Sequence, residues 1–351
     1  MKILFVSRDN GGAKMSVPTA KLALDRGHEI LIVVEGLAAD RFQEAGFFNY
    51  DSKAKLVFKG PENQKEISFS VEAHSVLVKF RPDVVVATRS VPDSLESIFG
   101  EAANTLGIPL VLMEDYWGCC QLYKARPDVV VTLDEYAREL AEMSYPNMRV
   151  IIAGNPTVIE KMSIPDEVER RVEELRSQFG RVIVFAGGNP QEMTVELQLL
   201  IECLKLTEDW CLISRPHPTI AKSDKEPGLK WADYWNGMLS QFGEHIVSVD
   251  CKLGDALAVL CDATISGFSL MLNTAAYARR AAISLETEIG KQLLFQSGGL
   301  TEVPIVKLGC AQSLKEPCDL GPFIRSADEI SLAKLKPFDP AIALKAIESL
   351  V

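Results

Sequence analysis

Short apolar runs alternate with longer amphipathic stretches along the whole chain. In the first half, the runs Lys2–Val6, Ile30–Val34 and Asp83–Ala87 are each followed by residues with helical spacing. Short apolar runs that are bounded by glycine, proline or polar turns predict buried strands. Strands that alternate with helices in this way predict an α/β fold with parallel sheets and helices on both faces.

The same alternation starts again beyond Pro156. The segment Pro165–Gly180 is strongly charged and carries one apolar stripe, which predicts a surface helix. A strand and a glycine loop then reopen the strand–loop–helix pattern. We therefore predict two doubly wound, Rossmann-like domains that face each other across a cleft, residues 1–156 and 157–325, and a C-terminal helical tail at 326–351.

Composition narrows the class of protein. The chain has 351 residues, of which 47% are hydrophobic and 24% charged, and its formal net charge is −11. This charge, without a basic block, argues against nucleic acid as a partner. No apolar run approaches the ~20 residues of a membrane span. We expect a cytoplasmic protein.

Eight cysteines are spread along the chain without the spacing of a metal site or a Cys-x-x-Cys motif. Together with the lack of a secretion signal, this predicts reduced thiols and no bound metal. The vicinal pair Cys119-Cys120 would suit a redox role, but a plain loop or the start of a helix is the simpler interpretation.

The segment Cys211–Pro218 carries the clearest candidate chemistry. Its apolar run ends in Ser-Arg-Pro-His-Pro, so Arg215 and His217 would lie at the carboxyl end of a strand. Ligands bind at that edge of open parallel sheets. A guanidinium and an imidazole that are held by two prolines fit a phosphate group. A proline-rich turn with a surface arginine is the alternative interpretation.

Two further loops offer hydrogen-bond donors to the same phosphate. One runs from a predicted strand at Ala263–Ile265 into a predicted helix at Phe268–Ala278, and the other follows the first strand of the second domain. Their hydroxyl and backbone N–H groups would meet an anion at a helix N-terminus, unless Ser266 merely caps its helix. The candidate donor residues are Ser266, Gly267, Ser269, Gly187, Gly188 and Asn189.

The layout resembles the GT-B glycosyltransferase superfamily. Gly11-Gly12 followed by Arg26–Glu29 resembles the opening of its acceptor domain, and Gly154–Pro156 resembles the end of that domain. Arg215–Pro218 and Ser266–Ser269 are similar to the His-Pro and Ser-Ser motifs of bacterial capsule, sialic-acid, Kdo and glycerol-phosphate transferases. In those families the two motifs hold the phosphates of the donor nucleotide without a metal.

The resemblance extends to about residue 310 and implies a metal-independent glycosyltransferase of envelope or surface-polysaccharide synthesis. It implies no cofactor, a nucleotide-sugar donor, a glycan or lipid-linked acceptor, and peripheral association with a membrane. Nucleotide-sugar epimerases, including the non-hydrolysing UDP-GlcNAc 2-epimerases, share the fold and are the first alternative. A protein that binds a glycan or nucleotide without catalysis is the second alternative.

The resemblance also assigns residues to the donor ribose and the nucleobase. Many members hold the ribose through a glutamate on the helix after the second motif, but this chain has Asn273 and Thr274 there. These two residues are therefore the candidates for ribose or base binding, and the identity of the base stays open.

Glycosyl transfer that inverts the sugar configuration needs a base in the first domain. The candidates at the carboxyl ends of strands are Asp9, Glu114 and Asp115, and we prefer Asp115. Aromatic faces beside these carboxylates suit a sugar, and a glycine turn before a helix suits a small ligand. The candidate acceptor-binding residues are Asn10, Gly11, Gly12, Tyr116 and Trp117.

Overall fold

The structure is a computed structural model, and it divides the chain into two compact units. The first contains residues 1–156 and 336–351, and the second contains residues 157–335. The chain therefore enters the second unit after Pro156 and returns to the first at Lys336. The residues that the structure describes are 1–47, 54–56, 65–88, 94–158, 162, 164–188, 190–216, 223–249, 251 and 254–351.

One parallel sheet forms the centre of the first unit. Its strands are β1 (Lys2–Ser7), β2 (Glu29–Val34), β3 (Ala54–Leu56), β4 (Val84–Thr88), β5 (Leu110–Met113), β6 (Val129–Thr132) and β7 (Arg149–Ile152). They lie in the order β3-β2-β1-β4-β5-β6-β7. The strand order thus reverses direction between β1 and β4, and ligands of doubly wound folds bind at the carboxyl edge of such a switch point.

The helices of the first unit follow its strands, as predicted. They are α1 (Asn10–Asp25), α2 (Gly36–Glu44), α3 (Lys65–Phe80), α4 (Leu95–Leu106) and α5 (Glu135–Ser144). The central strands β1 and β4 are buried along their apolar runs. This burial explains why those runs are continuous, because helices cover both faces of the sheet.

The last segment of the chain packs on the first unit. Its helix, Pro340–Glu348, contacts α1, β6 and β7, and Glu348 binds Arg26 and His28 at 2.9 Å each. Gly154 has a φ of +98°, and a Cβ there would overlap the carbonyl oxygen of Pro337. The approach of this segment therefore requires a glycine at position 154.

The prediction of one helical tail at 326–351 is wrong. Residues 326–335 belong to the second unit and 336–351 to the first. The first part forms only a short 3-10 turn, Ala327–Glu329, and the helix begins at Pro340. Pro337 lies in the irregular part, and Pro340 begins the helix, a position that suits a residue with a fixed φ and no N–H.

A second parallel sheet forms the centre of the second unit. The strands of this unit are β8 (Arg181–Gly187), β9 (Trp210–Pro216), β10 (Asp224–Glu226), β11 (Leu229–Lys230), β12 (Ile246–Val247), β13 (Ala263–Ser266), β14 (Ala281–Leu285) and β15 (Gln312–Leu314). The main sheet has the order β12-β9-β8-β13-β14-β15, and β10 and β11 form a separate hairpin. The α/β prediction with two Rossmann-like units is confirmed.

The helices of the second unit surround its sheet. They are α6 (Asp166–Phe179), α7 (Pro190–Leu204), α8 (Trp231–Leu239), α9 (Gly254–Leu260), α10 (Met271–Tyr277), α11 (Glu288–Gly298), α12 (Pro304–Lys307) and α13 (Gly321–Arg325). The apolar stripe of α6 is buried at Val168, Val172 and Leu175, as its spacing predicts. None of the described helices is long and apolar enough to cross a membrane.

Candidate functional site

Three of the predicted phosphate-binding segments lie on neighbouring strands at one edge of the second sheet. Strands β9, β8 and β13 are adjacent, and Arg215 lies in register beside Ala186. On the other side of β8, Ile265 pairs with Phe185, so Ser266 reaches the level of Arg215. The strand order therefore brings Arg215, the glycine loop after β8 and the Ser266 loop to one carboxyl edge.

Arg215 is fixed at this edge by its own contacts. The strand β9 runs through Pro216, so Arg215 belongs to the end of the strand and not to a turn. Its Nη1 donates to the carbonyl oxygen of Cys251 at 2.6 Å, and its Nε lies close to the Cα of Gly254. The predicted partners His217 and Asn189 lie outside the described residues.

The two glycines after β8 differ in their surroundings. A Cβ on Gly187 would overlap the sulfur of Met193, so the close packing of α7 explains this glycine. A Cβ on Gly188 would meet no heavy atom of the described residues within 4 Å. Of the two, Gly188 is therefore the one without a close neighbour among the described residues, and it lies two residues before a helix of 15 residues.

The Ser266 loop differs from its prediction. Ser266 is the buried last residue of β13, and α10 begins only at Met271, whose N–H lies 3.2 Å from Ser269 Oγ. The predicted helix start at Phe268 and the alternative of Ser266 as the cap are both wrong. Leu270 occupies the N-cap position and its side chain makes no capping hydrogen bond, whereas Ser266 remains in the sheet.

Two carboxyl groups that the sequence analysis did not select face this loop. Glu192 and Glu196, one turn apart on α7, hydrogen-bond to each other, and burial raises the pKa of both. The Gly267 N–H donates to Glu196, and a Cβ on Gly267 would overlap Glu196 Oε1. Gly267 is thus a glycine because a carboxyl group approaches it, and its N–H is directed at that carboxyl. The Glu-x-x-x-Glu spacing at the start of the predicted helix could have indicated this carboxyl pair from the sequence.

Asn273 and Thr274 hold the start of the second unit together. Both side chains are buried. Asn273 Nδ2 donates to Thr157 Oγ1 at 3.1 Å, and Thr274 Oγ1 donates to the Thr157 carbonyl at 3.0 Å. These bonds give both side chains a structural role inside the unit, and their assignment to the donor ribose or base stays a prediction.

At the carboxyl edge of the first sheet, two glycines begin α1. Gly11 and Gly12 lie inside the first turn of the helix and not in a turn before it. A Cβ on Gly11 would overlap Asp115 Oδ2, and one on Gly12 would overlap Thr88 Oγ1. The ends of β5 and β4 therefore place two polar side chains against the helix N-terminus, where its dipole stabilises a negative charge on Asp115.

The neighbours of that turn differ in their contacts. Asn10 Oδ1 accepts a hydrogen bond from Arg41 Nε at 2.7 Å. Asp9 stands at the N-cap position of α1 and is half-buried, but its side chain makes no capping hydrogen bond there. The side chain of Asn10 is thus hydrogen-bonded to α2, whereas the side chain of Asp9 does not cap the N-terminus of α1.

The two adjacent carboxylates after β5 have opposite environments. Glu114 is fully buried, and among the described residues only the N–H and thiol of Cys120 reach its carboxyl group. Burial, with the Cys120 thiol beside it, raises the pKa of Glu114 well above its ordinary value. Asp115 is only half-buried. A protonated, enclosed Glu114 is unsuited to accept a proton from a substrate, so Asp115 is the better candidate base.

The two aromatic residues of this segment also differ in their burial. Trp117 is fully buried, and its Nε1 donates to Asp134 Oδ2 at 2.9 Å. Its predicted contact with an acceptor is therefore wrong, because the ring is packed inside the unit. Tyr116 is half-buried beside Asp115. Burial raises the pKa of Asp134 to about 6, although Trp117 and Ala137 N–H groups oppose the shift.

Glu96 is a further buried carboxyl group near the end of β4. Its Oε1 accepts from the Arg8 N–H at 2.8 Å and from Thr88 Oγ1 at 3.4 Å. Burial raises its pKa to about 7, against the opposing effect of these hydrogen bonds. The group thereby fixes the start of α1 and titrates near neutral pH. A glutamate in the first turn of a helix is too common to have indicated this role.

One open groove of the described residues lies elsewhere. It has a volume of about 730 Å³ and is lined by residues such as Pro109, Asp128 and Arg149. These residues stand at the amino ends of β5, β6 and β7, whereas ligands of parallel sheets bind at the carboxyl ends. We therefore place the candidate chemistry at the carboxyl edges and not in this groove.

Comparison with known proteins identifies the fold. No family model matches the chain, and no curated protein matches it. A putative UDP-N-acetylglucosamine 2-epimerase from Listeria monocytogenes is similar, with a TM-score of 0.65 and 15% identity over 99% of this chain and 95% of that one. The UDP-GlcNAc 2-epimerase from Neisseria meningitidis, bound to UDP-GlcNAc, has a TM-score of 0.60 and 14% identity over 99% of both chains.

A glycosyltransferase from Rickettsia africae is similar to the same degree. Its TM-score is 0.62 and its identity 13%, over 99% of this chain and 97% of that one. Identities this low establish the architecture and leave the chemistry to be argued from this chain. The chain has the GT-B fold, which glycosyltransferases share with UDP-GlcNAc 2-epimerases.

Proposed function

We propose that this chain is an enzyme that acts on a nucleotide-activated sugar. The main support is that Arg215 and the Gly188 loop lie at the ends of two adjacent strands, at one carboxyl edge of the sheet. A guanidinium provides planar donors that match phosphate oxygens. The N-terminus of α7 adds backbone N–H groups and the positive end of a helix dipole. These groups would bind the donor diphosphate, with His217 as their proposed partner.

The nucleotide that we propose is a uridine nucleotide. Several similar solved structures are described as complexes with UDP or UDP-GlcNAc. The carboxyl pair Glu192 and Glu196 would disfavour phosphate directly over Gly267, because the Gly267 N–H already donates to Glu196. We therefore assign the phosphates to the Arg215 side of the edge. Carboxyl groups hydrogen-bond readily to hydroxyls, so the Gly267 side is better suited to hydroxyl groups of the donor.

We propose glycosyl transfer as the reaction, with Asp115 as the base. Its carboxylate would accept the proton of an acceptor hydroxyl while that oxygen attacks the anomeric carbon and the nucleoside diphosphate leaves. Half-exposure and a position against the N-terminus of α1 suit a carboxylate that meets a substrate. The proposed acceptor is a glycan or lipid-linked glycan of surface-polysaccharide synthesis, at the periphery of a membrane. The cytoplasm is the proposed location.

Epimerisation of a UDP-sugar is the second candidate. It is favoured by the UDP-GlcNAc 2-epimerases whose structures match this chain over nearly its whole length. Such a reaction would use the same diphosphate site but no acceptor. The two candidates therefore differ in a directly measurable way.

One experiment tests the function and separates the candidates. UDP-sugars are incubated with the protein in EDTA, with and without glycan acceptors, and the products are identified by NMR. Transfer releases UDP only when an acceptor is present, whereas epimerisation forms a new UDP-sugar without one. Turnover in EDTA is expected, since the proposed phosphate site needs no metal. Failure to bind any nucleotide would contradict the proposal.

A further inference from the structure

A carboxyl group and two thiols form an enclosed cluster in the first unit. Glu114 is held at the end of β5, because its N–H donates to the carbonyl oxygen of Val131 at 2.8 Å. The chain then turns back at Gly118, which has a φ of +75°. The following 3-10 turn, Cys119–Leu122, brings two thiols to the carboxyl group. Backbone hydrogen bonds thus hold the two segments that carry the three side chains.

The three groups have the spacing of metal ligands. A carboxyl oxygen of Glu114 and the sulfur atoms of Cys119 and Cys120 all lie within 4.8 Å of one another. Two thiolates that bind one zinc ion at about 2.3 Å stand roughly 3.8 Å apart in a tetrahedral site. The side chains could therefore converge on one ion through small rotations and without a change of fold.

The burial of Glu114 is the second observation that points to a ligand. The residue is fully enclosed, and among the described residues only the N–H and thiol of Cys120 reach its carboxyl group as hydrogen-bond partners. A thiol, such as that of Cys120 beside it, is a weak donor. Enclosing a carboxyl group without good partners costs free energy, and coordination of a cation would remove that cost.

We propose that Glu114, Cys119 and Cys120 bind one zinc ion. Two thiolates select against the hard ions magnesium and calcium, and a carboxylate oxygen favours zinc over copper(I). Three protein ligands leave one tetrahedral position for a small exogenous ligand. Asp134 is not included, because it accepts from the Trp117 indole and the Ala137 N–H. This proposal differs from the expectation of no bound metal, which rested on familiar cysteine spacings.

Protons would compete with zinc at this site. Burial raises the pKa values of Glu114 and Cys119, so without metal both groups are protonated at neutral pH. Zinc must displace these protons, and its affinity should fall as the pH falls. Asp134 and Asp115, the other carboxyl groups that face the cluster, would favour a cation. The low exposure of the ligands predicts slow loading and slow removal by chelators.

The test measures metal binding and does not depend on the proposed function. The protein is produced with added zinc, separated from free metal by gel filtration and analysed by mass spectrometry. We expect one zinc per chain, and cobalt(II) in its place should show thiolate-to-metal charge-transfer absorption. The variants Glu114→Gln, Cys119→Ser and Cys120→Ser should each lower zinc affinity by about a hundredfold or more.

The matched control is a second thiol pair. Cys203 and Cys318 contact each other, and no carboxyl group joins them in a three-ligand cluster of the described residues. Cys203→Ser should leave zinc affinity and the cobalt spectrum unchanged. Circular dichroism verifies folding, and Glu114→Gln keeps the shape of the side chain if a cysteine variant fails to fold. Fewer than one zinc at saturation, unchanged affinity in Glu114→Gln, or loss of zinc in Cys203→Ser would overturn the proposal.

Discussion

The carboxylate of Asp115 lies against the Cα of Gly11, so closely that a Cβ there would overlap its Oδ2 atom. Asp115 follows β5 and Gly11 follows β1, and only β4 separates these two strands in the sheet. Thr88, at the end of β4, approaches Gly12 in the same way. Two glycines, which are poor helix formers, thus begin α1 because side chains from neighbouring strands need the space.

This contact predicts that Gly11→Ala lowers turnover by displacing Asp115. A shift of about 1 Å in a catalytic group can cost roughly a hundredfold in rate. Nucleotide affinity should be unchanged, because the proposed phosphate site lies in the second unit. Steady-state kinetics and calorimetric titration with UDP measure the two quantities.

The matched control for that substitution is Gly237→Ala. Gly237 lies inside α8, and its Cβ would meet no heavy atom of the described residues within 4 Å. It should retain turnover and gain about 0.5–1 kcal/mol in the free energy of unfolding. Wild-type turnover in Gly11→Ala would show that the position of Asp115 does not matter.

A second prediction concerns the carboxylate of Asp115 itself. Asp115→Asn keeps the shape of the side chain but removes its basicity, so kcat should fall by about a hundred- to ten-thousandfold. The dissociation constant for UDP should stay the same. Asp40→Asn, on an exposed position of α2, is the control and should leave kcat unaltered. A fully active Asp115→Asn would exclude Asp115 as the base.

A third prediction concerns the proposed hydrogen bonds between Arg215 and the diphosphate. A charge-assisted hydrogen bond contributes about 1.5–3 kcal/mol, so Arg215→Ala should weaken UDP binding by about ten- to a hundredfold. Arg215→Lys should recover only part, because an ammonium cannot make a planar two-point contact. Isothermal titration with UDP gives these affinities.

The control for Arg215 is Arg280→Ala. Arg280 is half-buried in the same unit and likewise donates to one backbone carbonyl, that of Val259 at 2.9 Å. A purely structural role for Arg215 predicts equal losses of thermal stability in both alanine variants and normal UDP affinity in the folded protein. That result would remove Arg215 from the site.

A fourth prediction follows from the pKa of Glu96, which burial raises from 4.5 to about 7. Between these two values the folded state binds more protons than the unfolded state. The free energy of unfolding should therefore decrease as the pH rises through this window, by up to about 3 kcal/mol. The contribution is fully present below the window.

Glu96→Gln tests this prediction, because it retains an acceptor for the Arg8 N–H but cannot ionise. The difference in free energy of unfolding between Glu96→Gln and the wild type should shift in favour of the variant as the pH rises to about 7. Above that pH the difference should stay constant. Urea unfolding across the window measures this, with Glu101→Gln, exposed on the same helix, as control. Parallel curves for wild type and Glu96→Gln would contradict the assignment.

The sequence by itself determined the strands and their parallel arrangement. Runs such as those of β1, β4 and β6 are apolar throughout, because both faces of a covered sheet are buried. This signal is local along the chain, so it can be recognised without knowledge of the fold. The placement of Arg215 at the end of a strand is local for the same reason.

The tertiary structure alone decided the chemical state of each candidate group. Glu114 and Asp115 are neighbours of the same residue class, yet one is enclosed and the other half-exposed. Gly267 meets Glu196 across 71 positions of the chain, and Trp117 meets Asp134 across 17. Burial and hydrogen bonding depend on segments that are distant along the chain, and they determine whether a group is charged, accessible or structural.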